Sequence, residues 1–426
     1  VSQNNTTKWQ SVGHALAFLD WNDGILQDLA VSVPTLGSPS TQVGSVRIYY
    51  GDDTPTGRWA TGASTTVIDI SAADVILAVN TADFPAARFG TRLRVLDFDG
   101  DGNDDLAVGA LGANSKVGMG FVVYGPGAPT SASIEISKAG VVPAEVTVIG
   151  MTFAGAITNA NYGTGMRNLG KLGLAGGGVD CCDDLIITPK VAATDNNSDA
   201  ATGPLYVFYG RAKPVATYSE LTSAQAEEKI IGPADVDNSP GDVFSDGATA
   251  FGEHIGSMDL NGDGHREIFI SSRRWDFDYG RVYVASAGLN VEGGAQVVTD
   301  MGTSSPLVVF TGSEAFTRIG SGLIDPSLAS DLDGDGTTDL LFAGYINTGF
   351  VYTWYGESVD ALLVAGSTTS SSTDYLFEID SLAAITLTEW CGDINGDGLN
   401  DLLVANSNQA YSTSSVGFTG AVQILY

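Results

Sequence analysis

One short acidic motif recurs along this chain of 426 residues, and its side chains are of the kind that bind hard cations. Asp stands at the first position, Asp or Asn at the third, Asp at the fifth and Asp or Glu at the ninth, with glycines at the fourth and sixth. An apolar run follows at once. The four complete copies begin at Asp97, Asp259, Asp331 and Asp393. Four copies in one chain indicate an internal repeat.

The spacing of these residues predicts a calcium loop. Calcium takes six to eight oxygen ligands, mostly carboxylates and carbonyls. Side chains at alternate positions converge on one point when the backbone turns tightly, and glycine permits such a turn because it reaches backbone angles closed to other residues. A backbone carbonyl at the seventh position and a carboxylate at the ninth would complete the ligand shell.

An EF-hand begins in the same way, but it needs a glutamate at the twelfth position and a helix after it. The twelfth positions here lie in β-branched or aromatic runs, which indicate strands. They are Val108, Ile270, Phe342 and Val404. We therefore expect each loop to lead into a sheet.

Two further copies of the motif are incomplete. The first covers residues 20–28 and has Gly24 at its fifth position, so we expect a weaker calcium site there. The other belongs to the third repeat and, aligned over residues 176–184, retains only the fifth and ninth ligands, Asp180 and Asp184. We expect no full calcium affinity in that loop.

The repeats predict an all-β fold. Each contains four short strand-like segments and almost no helical periodicity, and the loops begin at intervals of 62 to 83 residues. This pattern is typical of a β-propeller of six four-stranded blades, here a single domain over residues 1–426. A β-helix would need a shorter repeat, and a string of β-sandwiches would show linkers. The repeats span about residues 10–80, 85–150, 158–232, 247–312, 316–380 and 383–426.

The last repeat stops after its third strand. We expect residues 1–9 to supply the missing outer strand of that blade and to close the ring. A missing upstream piece would leave seven blades as the alternative. The chain begins at Val1 rather than Met, which indicates a processed or trimmed product.

The charge balance argues against several classes of partner. With 50 acidic and 19 basic residues, the net charge is -31, which disfavours nucleic acid and anionic membrane surfaces. No run approaches the ~18 apolar residues of a transmembrane helix.

Three cysteines do not make a disulfide framework. Cys181 and Cys182 could form a disulfide between neighbours, but buried or inert thiols are the favoured interpretation for both and for Cys391.

Three motifs together resemble a known family. They are the Phe-Gly pair before the first strand, the acidic loop, and a Gly-led strand of alternating aromatic and β-branched residues such as residues 120–124. This combination is similar to the FG-GAP repeat of the integrin α-subunit N-terminal propeller, and more similar to bacterial and algal surface proteins with the same repeat. The resemblance covers essentially the whole chain and is weakest in the third repeat.

The resemblance implies that loop positions one, three, five, seven and nine hold calcium, the seventh through its carbonyl oxygen alone. In the four complete loops these residues are Asp97, Asp99, Asp101, Asn103 and Asp105; Asp259, Asn261, Asp263, His265 and Glu267; Asp331, Asp333, Asp335, Thr337 and Asp339; and Asp393, Asn395, Asp397, Leu399 and Asp401. In the weaker loop of the first repeat they are Asp20, Asn22, Leu26 and Asp28. Four calcium ions and a weaker fifth are thus expected.

The chain shows no signature of catalysis. His14, His254 and His265 lack metal-ligand spacing, and no nucleophile elbow, phosphate loop or dinucleotide fingerprint is present. We therefore expect a non-enzymatic, extracellular or cell-surface calcium-binding propeller. It would act in adhesion or as a structural subunit of a surface assembly, with other surface proteins, glycans or further copies of itself as partners.

Two alternative functions stay open. A lectin-like propeller would bind glycans at its rim, where Trp275 is the candidate because it lies in a predicted loop, whereas Trp354 is expected to pack within a strand. The chain could instead be the accessory propeller of a larger secreted enzyme.

Overall fold

The protein is all-β in the part of the chain that the computed structural model describes. The described residues are 11–35, 42–51, 69–125, 133–138, 146–150, 161–174, 180–189, 204–213, 218–233, 251–260, 265–273, 275–290, 293–301, 306–323, 337, 339–346, 348–356, 362–363, 365–369, 373, 375–379, 385–392, 394–396, 401–406 and 421–425.

The chain divides into two compact units. The first comprises Val1–Lys190, Gly203–Lys229 and Asn290–Val298, and the second comprises Val191–Thr202, Ile230–Leu289 and Thr299–Tyr426. The single domain over residues 1–426 stays a prediction.

The regular structure consists of short strands and a few helical turns. The strands are β1 (Leu16–Leu19), β2 (Asp28–Val33), β3 (Ser45–Tyr49), β4 (Val75–Val79), β5 (Phe89–Leu96), β6 (Asp105–Ala110), β7 (Met119–Val123), β8 (Ile134–Ile136), β9 (Val146–Gly150), β10 (Gly165–Gly170), β11 (Asp184–Thr188), β12 (Leu205–Phe208), β13 (Tyr218–Leu221), β14 (Glu228–Ile231), β15 (Phe251–Met258), β16 (Glu267–Ser272), β17 (Arg281–Ser286), β18 (Val297–Asp300), β19 (Val308–Thr311), β20 (Gly322–Leu323), β21 (Leu340–Ile346), β22 (Thr348–Trp354), β23 (Ser367–Thr369), β24 (Tyr375–Ile379), β25 (Ile385–Gly392), β26 (Asp401–Asn406) and β27 (Ala421–Leu425). The helical turns include α1 (Ala113–Lys116), α2 (Trp275–Asp278) and 3-10 turns at Ile70–Ala72 and Ser223–Gln225.

The described strands form six sheets, one for each predicted repeat. Their orders are β1-β2-β3-β4-β8, β13-β9-β7-β6-β5, β10-β11-β12-β14-β18, β15-β16-β17-β19-β23, β20-β21-β22-β24 and β25-β26-β27. Each is built on an antiparallel meander, in which β6, for example, pairs with β5 on one side and β7 on the other. The predicted strand after each complete loop is confirmed, because the twelfth loop positions lie in β6, β16, β21 and β26.

A fifth strand corrects the prediction of four strands per blade. The connection between the third and fourth strands of a repeat carries a short strand that pairs in parallel with the outer strand of the preceding sheet. In this way β8 pairs with β4, β13 with β9, and β23 with β19. Of these added strands, β23 lies in a connection rich in serine and threonine. Each added strand covers the hydrogen-bonding groups of an edge.

Apolar residues at alternate strand positions fill the space between neighbouring sheets. In the first compact unit, one cluster joins the first and second sheets and includes Val46, Leu93 and Phe121. A second cluster joins the second and third sheets and includes Val122 and Ile187. In this unit the loop of the first repeat contacts that of the second, and the loop of the second contacts that of the third.

The two tryptophans that the sequence singled out are both buried. Trp354 packs against Phe310 and Phe342, as predicted. Trp275 lies in α2 and is only 9% exposed, with the Arg281 guanidinium carbon 3.2 Å from the ring centroid. The prediction of an exposed loop tryptophan is wrong, because Arg281 covers the ring.

The predicted closing strand, residues 1–9, lies outside the described residues. The sixth sheet has three strands in its described part, β25, β26 and β27. Among the described residues, no helix combines the length and the apolar character needed to cross a membrane.

Candidate metal centre

The loop of the second repeat joins the end of β5 to the start of β6, and its ninth residue holds it closed. Asp105 is buried at the first position of β6. One of its oxygens, Oδ2, accepts a hydrogen bond from Phe98 N at 2.9 Å. The other, Oδ1, accepts one from Gly125 N, just beyond β7, at 2.7 Å. Asp105 therefore ties the loop to two strands of its own sheet.

Three carboxylates of this loop converge. One oxygen each of Asp97, Asp99 and Asp105 lies within 4.8 Å of the other two. Asp97 Oδ2 accepts a hydrogen bond from Gly102 N at 3.1 Å. Asp97 Oδ1 is buried and has no hydrogen-bond partner among the described residues. A buried, unpartnered carboxylate oxygen beside two further carboxylates is suited to a hard cation, so these residues fit calcium.

The electrostatics of the loop favour a bound cation. Burial raises the pKa of Asp105 to about 8, against the opposing hydrogen bond from Gly125 N, and the negative charges of Asp99 and Asp101 add to the rise. Burial also raises the pKa of Asp99. Both acids resist ionisation chiefly because burial removes water from the carboxylates, and a divalent cation would supply a compensating charge.

Glycine is required at two turns of this loop. Gly100 has φ +72° and Gly102 has φ +88°, which other residues rarely adopt. These turns bring Asp97, Asp99 and Asp105 together. The predicted fifth-position ligand, Asp101, is exposed and outside this cluster, and its Oδ1 instead accepts hydrogen bonds from Asn103 N at 2.8 Å and Asn103 Nδ2 at 2.9 Å.

The loop of the first repeat has the same closure with fewer acids. Asp28 is fully buried and accepts hydrogen bonds from Trp21 N at 3.1 Å and Gly51 N at 2.8 Å. Burial raises the pKa of Asp28, and the charge of Asp20 adds to this. Asn22 Oδ1 is buried without a hydrogen-bond partner among the described residues, which resembles the state of Asp97 Oδ1. Leu26, predicted to act through its carbonyl, has an exposed side chain.

The other three predicted sites are described in part. Asn261 and Asp263 of the fourth repeat lie outside the described residues, as do Asp331, Asp333 and Asp335 of the fifth and Asp393, Asp397 and Leu399 of the sixth. The described ligands are Asp259, His265, Glu267, Thr337, Asp339, Asn395 and Asp401. The convergence of these three ligand sets stays a prediction.

The ninth residue has the same structural role throughout, which the sequence interpretation missed. The six residues at this position are at most 2% exposed: Asp28, Asp105, Asp184, Glu267, Asp339 and Asp401. In the first, second, fourth and sixth repeats this carboxylate accepts a hydrogen bond from the backbone amide of the second loop residue, which is Trp21, Phe98, Leu260 or Ile394. In the first, second, third and fifth repeats it accepts one from the amide of the glycine after the third strand, which is Gly51, Gly125, Gly210 or Gly356.

The recurrent Tyr-Gly pair after the third strand was the signal for this role. A Cβ on Gly125 would clash with the carbonyl oxygen of Asp104, and one on Gly210 would lie 2.6 Å from that of Asp183. Only glycine allows the third strand to approach the loop so closely. The ninth residue is thus a cap for backbone amides as well as a candidate ligand.

The loop of the third repeat begins earlier than the sequence alignment placed it. Asp184 accepts hydrogen bonds from Leu172 N at 3.0 Å and Gly210 N at 2.8 Å, which makes Leu172 the counterpart of Phe98. The first loop position is therefore Lys171, not Gly176. An exposed lysine replaces the first carboxylate. Asp180 caps Gly173 N at 2.8 Å and Cys182 N at 3.2 Å.

The eighth residue of one loop contacts the loop before it, which the sequence also did not reveal. Asp20 N donates to Asp104 Oδ2 at 2.6 Å, and Asp97 N donates to Asp183 Oδ2 at 3.1 Å. Burial raises the pKa of Asp104, and the charge of Asp20 adds to this. The loops of the first three repeats are thus joined through side chains that were not candidate ligands.

The interpretation of Cys181 and Cys182 as free thiols is wrong. The two neighbours form a disulfide in the loop of the third repeat. Cys182 is buried and Cys181 is exposed. Cys391 lies in β25.

Comparison with protein families identifies one repeat. The FG-GAP repeat model matches residues 89–128, which include β5, the loop with Asp97, Asp99 and Asp105, and β7.

The curated relatives are much longer than the matched region. Phosphatidylinositol-glycan-specific phospholipase D from Rattus norvegicus is 35% identical over 125 residues, and that from Mus musculus is 33% identical over 125 residues. These matches cover 29% of this chain and 13% of each relative. The Bos taurus protein is 32% identical over 119 residues. The chain thus spans about an eighth of the length of these relatives.

Similarity to solved structures is weak. A chain from the crystal structure of BBS1N in complex with ARL6DN, soaked with mercury, gives a TM-score of 0.39 at 10% identity, covering 93% of this chain and 78% of that one. The lead-soaked crystal gives 0.36 at 11% identity with the same coverage. Scores of this size do not define a fold.

Proposed function

We propose that this chain, which carries an FG-GAP repeat at residues 89–128, is a calcium-stabilised β-propeller of six blades without catalytic activity of its own. It would act outside the cell, in adhesion or as a structural subunit of a surface assembly. Two observations carry the proposal: Asp97, Asp99 and Asp105 converge, and Asp97 Oδ1 is buried with no hydrogen-bond partner in the described part of the chain.

The role proposed for the loops is structural. A bound calcium ion would neutralise the clustered carboxylates and link the start of the loop to its end. Asp97 and Asp99 would hold it through oxygens from the turn, while Asp105 keeps the loop anchored to Phe98 N and Gly125 N. At calcium ten times its dissociation constant, one such site adds about 1.4 kcal/mol to the free energy of unfolding.

The six sheets support the propeller architecture. Each is a meander of short strands, and an added parallel strand such as β8 or β13 links one sheet to the preceding one. Clusters of buried side chains join consecutive sheets in the first compact unit. Repetition of one sheet-to-sheet contact along the chain is what a ring of blades needs.

Thermal unfolding with light scattering tests the calcium proposal. We expect a higher Tm in millimolar calcium than in excess chelator, and a much smaller rise with magnesium, which prefers a smaller octahedral site. The variant Asp99→Ala, which removes the third-position ligand oxygen, should bind one calcium ion fewer than the wild type. Equal Tm values in calcium and chelator would refute the proposal, and calcium-dependent oligomers would support a role in assembly.

A second candidate function is an accessory propeller of a larger enzyme. The specific support is the similarity over 125 residues to phosphatidylinositol-glycan-specific phospholipase D, of which the match covers 13%. An antibody raised against this chain would then detect a native protein far larger than 44.0 kDa in source cells and medium. A native protein close to 44.0 kDa would exclude this candidate.

A further inference from the structure

The Cys181–Cys182 disulfide lies directly against the candidate calcium loop of the second repeat. A Cβ placed on Gly100 would lie 2.9 Å from Cys182 Sγ, 3.0 Å from the carbonyl oxygen of Cys181 and 3.2 Å from its Cβ. Gly100 stands between Asp99 and Asp101 at one of the two turns with positive φ. The disulfide therefore packs against the loop that brings the carboxylates together.

The residue after the disulfide holds the first carboxylate of that loop in place. Asp183 N donates to the carbonyl oxygen of Asp97 at 2.8 Å, and Asp97 N donates to Asp183 Oδ2 at 3.1 Å. Asn168 Nδ2 fixes the same Asp183 oxygen at 2.9 Å. Because this reciprocal pair begins one residue beyond Cys182, the position of Asp97 depends on the backbone conformation at Cys181 and Cys182.

Opening the disulfide would change both the space and the backbone beside Gly100. Bonded sulfur atoms lie about 2 Å apart, whereas non-bonded heavy atoms need about 3.5–4 Å. At least one sulfur must move by more than about 1 Å on reduction, and Cys182 Sγ has Gly100 against it. The ring that joins the neighbouring residues also opens, so their backbone angles are no longer restricted.

We propose that Cys181–Cys182 is a thiol–disulfide exchange site whose redox state sets the calcium affinity of the Asp97, Asp99 and Asp105 cluster. This inference rests on the proposed calcium function. The reductant is a dithiol: one of its thiolates attacks the exposed Cys181 sulfur and forms a mixed disulfide, and Cys182 leaves as a thiolate that takes up a proton. The second thiol of the reductant then displaces Cys181. Two electrons and two protons pass to the protein, and the reductant becomes a cyclic disulfide.

Isothermal titration with calcium tests this inference on the full chain before and after treatment with dithiothreitol. We expect one class of sites to lose affinity about tenfold or more on reduction, and to regain it when the protein is reoxidised. The variant Asp99→Ala, which removes the third-position ligand oxygen of the site in question, should show no redox response. Cys391→Ser should respond like the wild type, because Cys391 is not part of the disulfide.

The possible failures are distinguishable. Absence of calcium binding in the oxidised protein would refute the proposed function, and this inference with it. Calcium binding with equal affinity in both redox states, or a redox response that persists in Asp99→Ala, would overturn the inference alone. The double variant Cys181→Ser, Cys182→Ser should have the calcium affinity of the reduced wild type. If that variant does not fold, the recovery of calcium affinity on reoxidation of the wild type still tests the inference.

Discussion

The loops of the second and third repeats are held to their sheets by the same hydrogen bonds, but they contain different side chains. In both, a buried aspartate at the start of the second strand accepts one amide from the loop and one from the glycine after the third strand; these are Asp105 and Asp184. In the second repeat Asp97 and Asp99 converge on Asp105. In the third repeat Lys171 takes the first position, and Asp180 caps backbone amides instead.

This difference separates two roles of the acidic motif, which are holding the loop against the sheet and binding a cation. The ninth carboxylate shapes the sheet, because it is retained where the metal-binding pattern is lost. In the described part of the chain, the first carboxylates accept amides only from within their own loops, Asp20 from Gly24 and Asp97 from Gly102. We therefore propose that the first and third carboxylates serve mainly to bind a cation. The third repeat contains links of another kind, which include its disulfide and the ion pair between Arg211 and the fully buried Glu227 at 3.0 Å.

The largest expected effect comes from removing the shared closure. Asp105→Ala and Asp184→Ala each leave two backbone amides without an acceptor, at a cost of about 1–3 kcal/mol per amide. We expect a loss of about 2–6 kcal/mol in the free energy of unfolding for each variant in chelator, measured by urea denaturation. In calcium the loss should grow for Asp105→Ala and stay constant for Asp184→Ala. Asp101→Ala, which removes an exposed side chain, is the control with little effect in chelator.

A pH dependence is the next effect in size. Burial raises the pKa of Asp105 to about 8 and also raises that of Asp184, where the charge of Asp180 adds to it. The folded, metal-free protein therefore holds protons that the unfolded chain has released above about pH 4, so its stability falls as the pH rises from about 4 to about 8.

Calcium should oppose this fall at Asp105, because a cation needs the ionised carboxylate, and should not oppose it at Asp184. Urea midpoints between about pH 5 and 8 would be compared in chelator and in calcium, for the wild type and for Asp105→Ala. Stability that rises with pH in chelator would contradict the assigned direction of the pKa shift.

A smaller effect isolates the metal from the fold. Asp99→Ala keeps the loop length while removing one ligand carboxylate, so it should lower stability by about 1.4 kcal/mol more in calcium at ten times the dissociation constant than in chelator. The matched variant in the third repeat is Asp180→Ala, whose effect should be the same in both buffers. An equal calcium dependence in the two variants would place a metal in the third repeat as well.

The smallest expected effect concerns a lysine that the third repeat places beside the second loop. Lys213 Nζ lies 3.4 Å from the carbonyl oxygen of Gly125, and its charge acts on Asp99. Lys213→Met removes this charge, so we expect calcium affinity at the second loop to rise about twofold to fivefold, an effect typical of a partly solvated charge. Titration calorimetry measures it, and lower affinity would refute the electrostatic argument.

Much of the site could be predicted because its determinants are local. The glycines at positions 100 and 102 and the acids at positions 97, 99 and 105 lie within one nine-residue turn, so their spacing defines the convergence. The strand after each loop followed from the β-branched run at positions such as Val108. The third loop could not be aligned in this way, because its only fixed end is Asp184 and the insertion before it shifts the first position from Gly176 to Lys171.

By itself the sequence determined the repeats, the all-β class and the acidic loop, since all three follow from residue periodicity and from short-range backbone geometry. Only the tertiary structure decided that Asp105 meets Gly125, that β8 crosses to pair with β4, and that the Cys181–Cys182 disulfide lies against Gly100. These contacts join segments separated by many residues. Their pairing depends on how the sheets pack against one another, and no local pattern of residues encodes it.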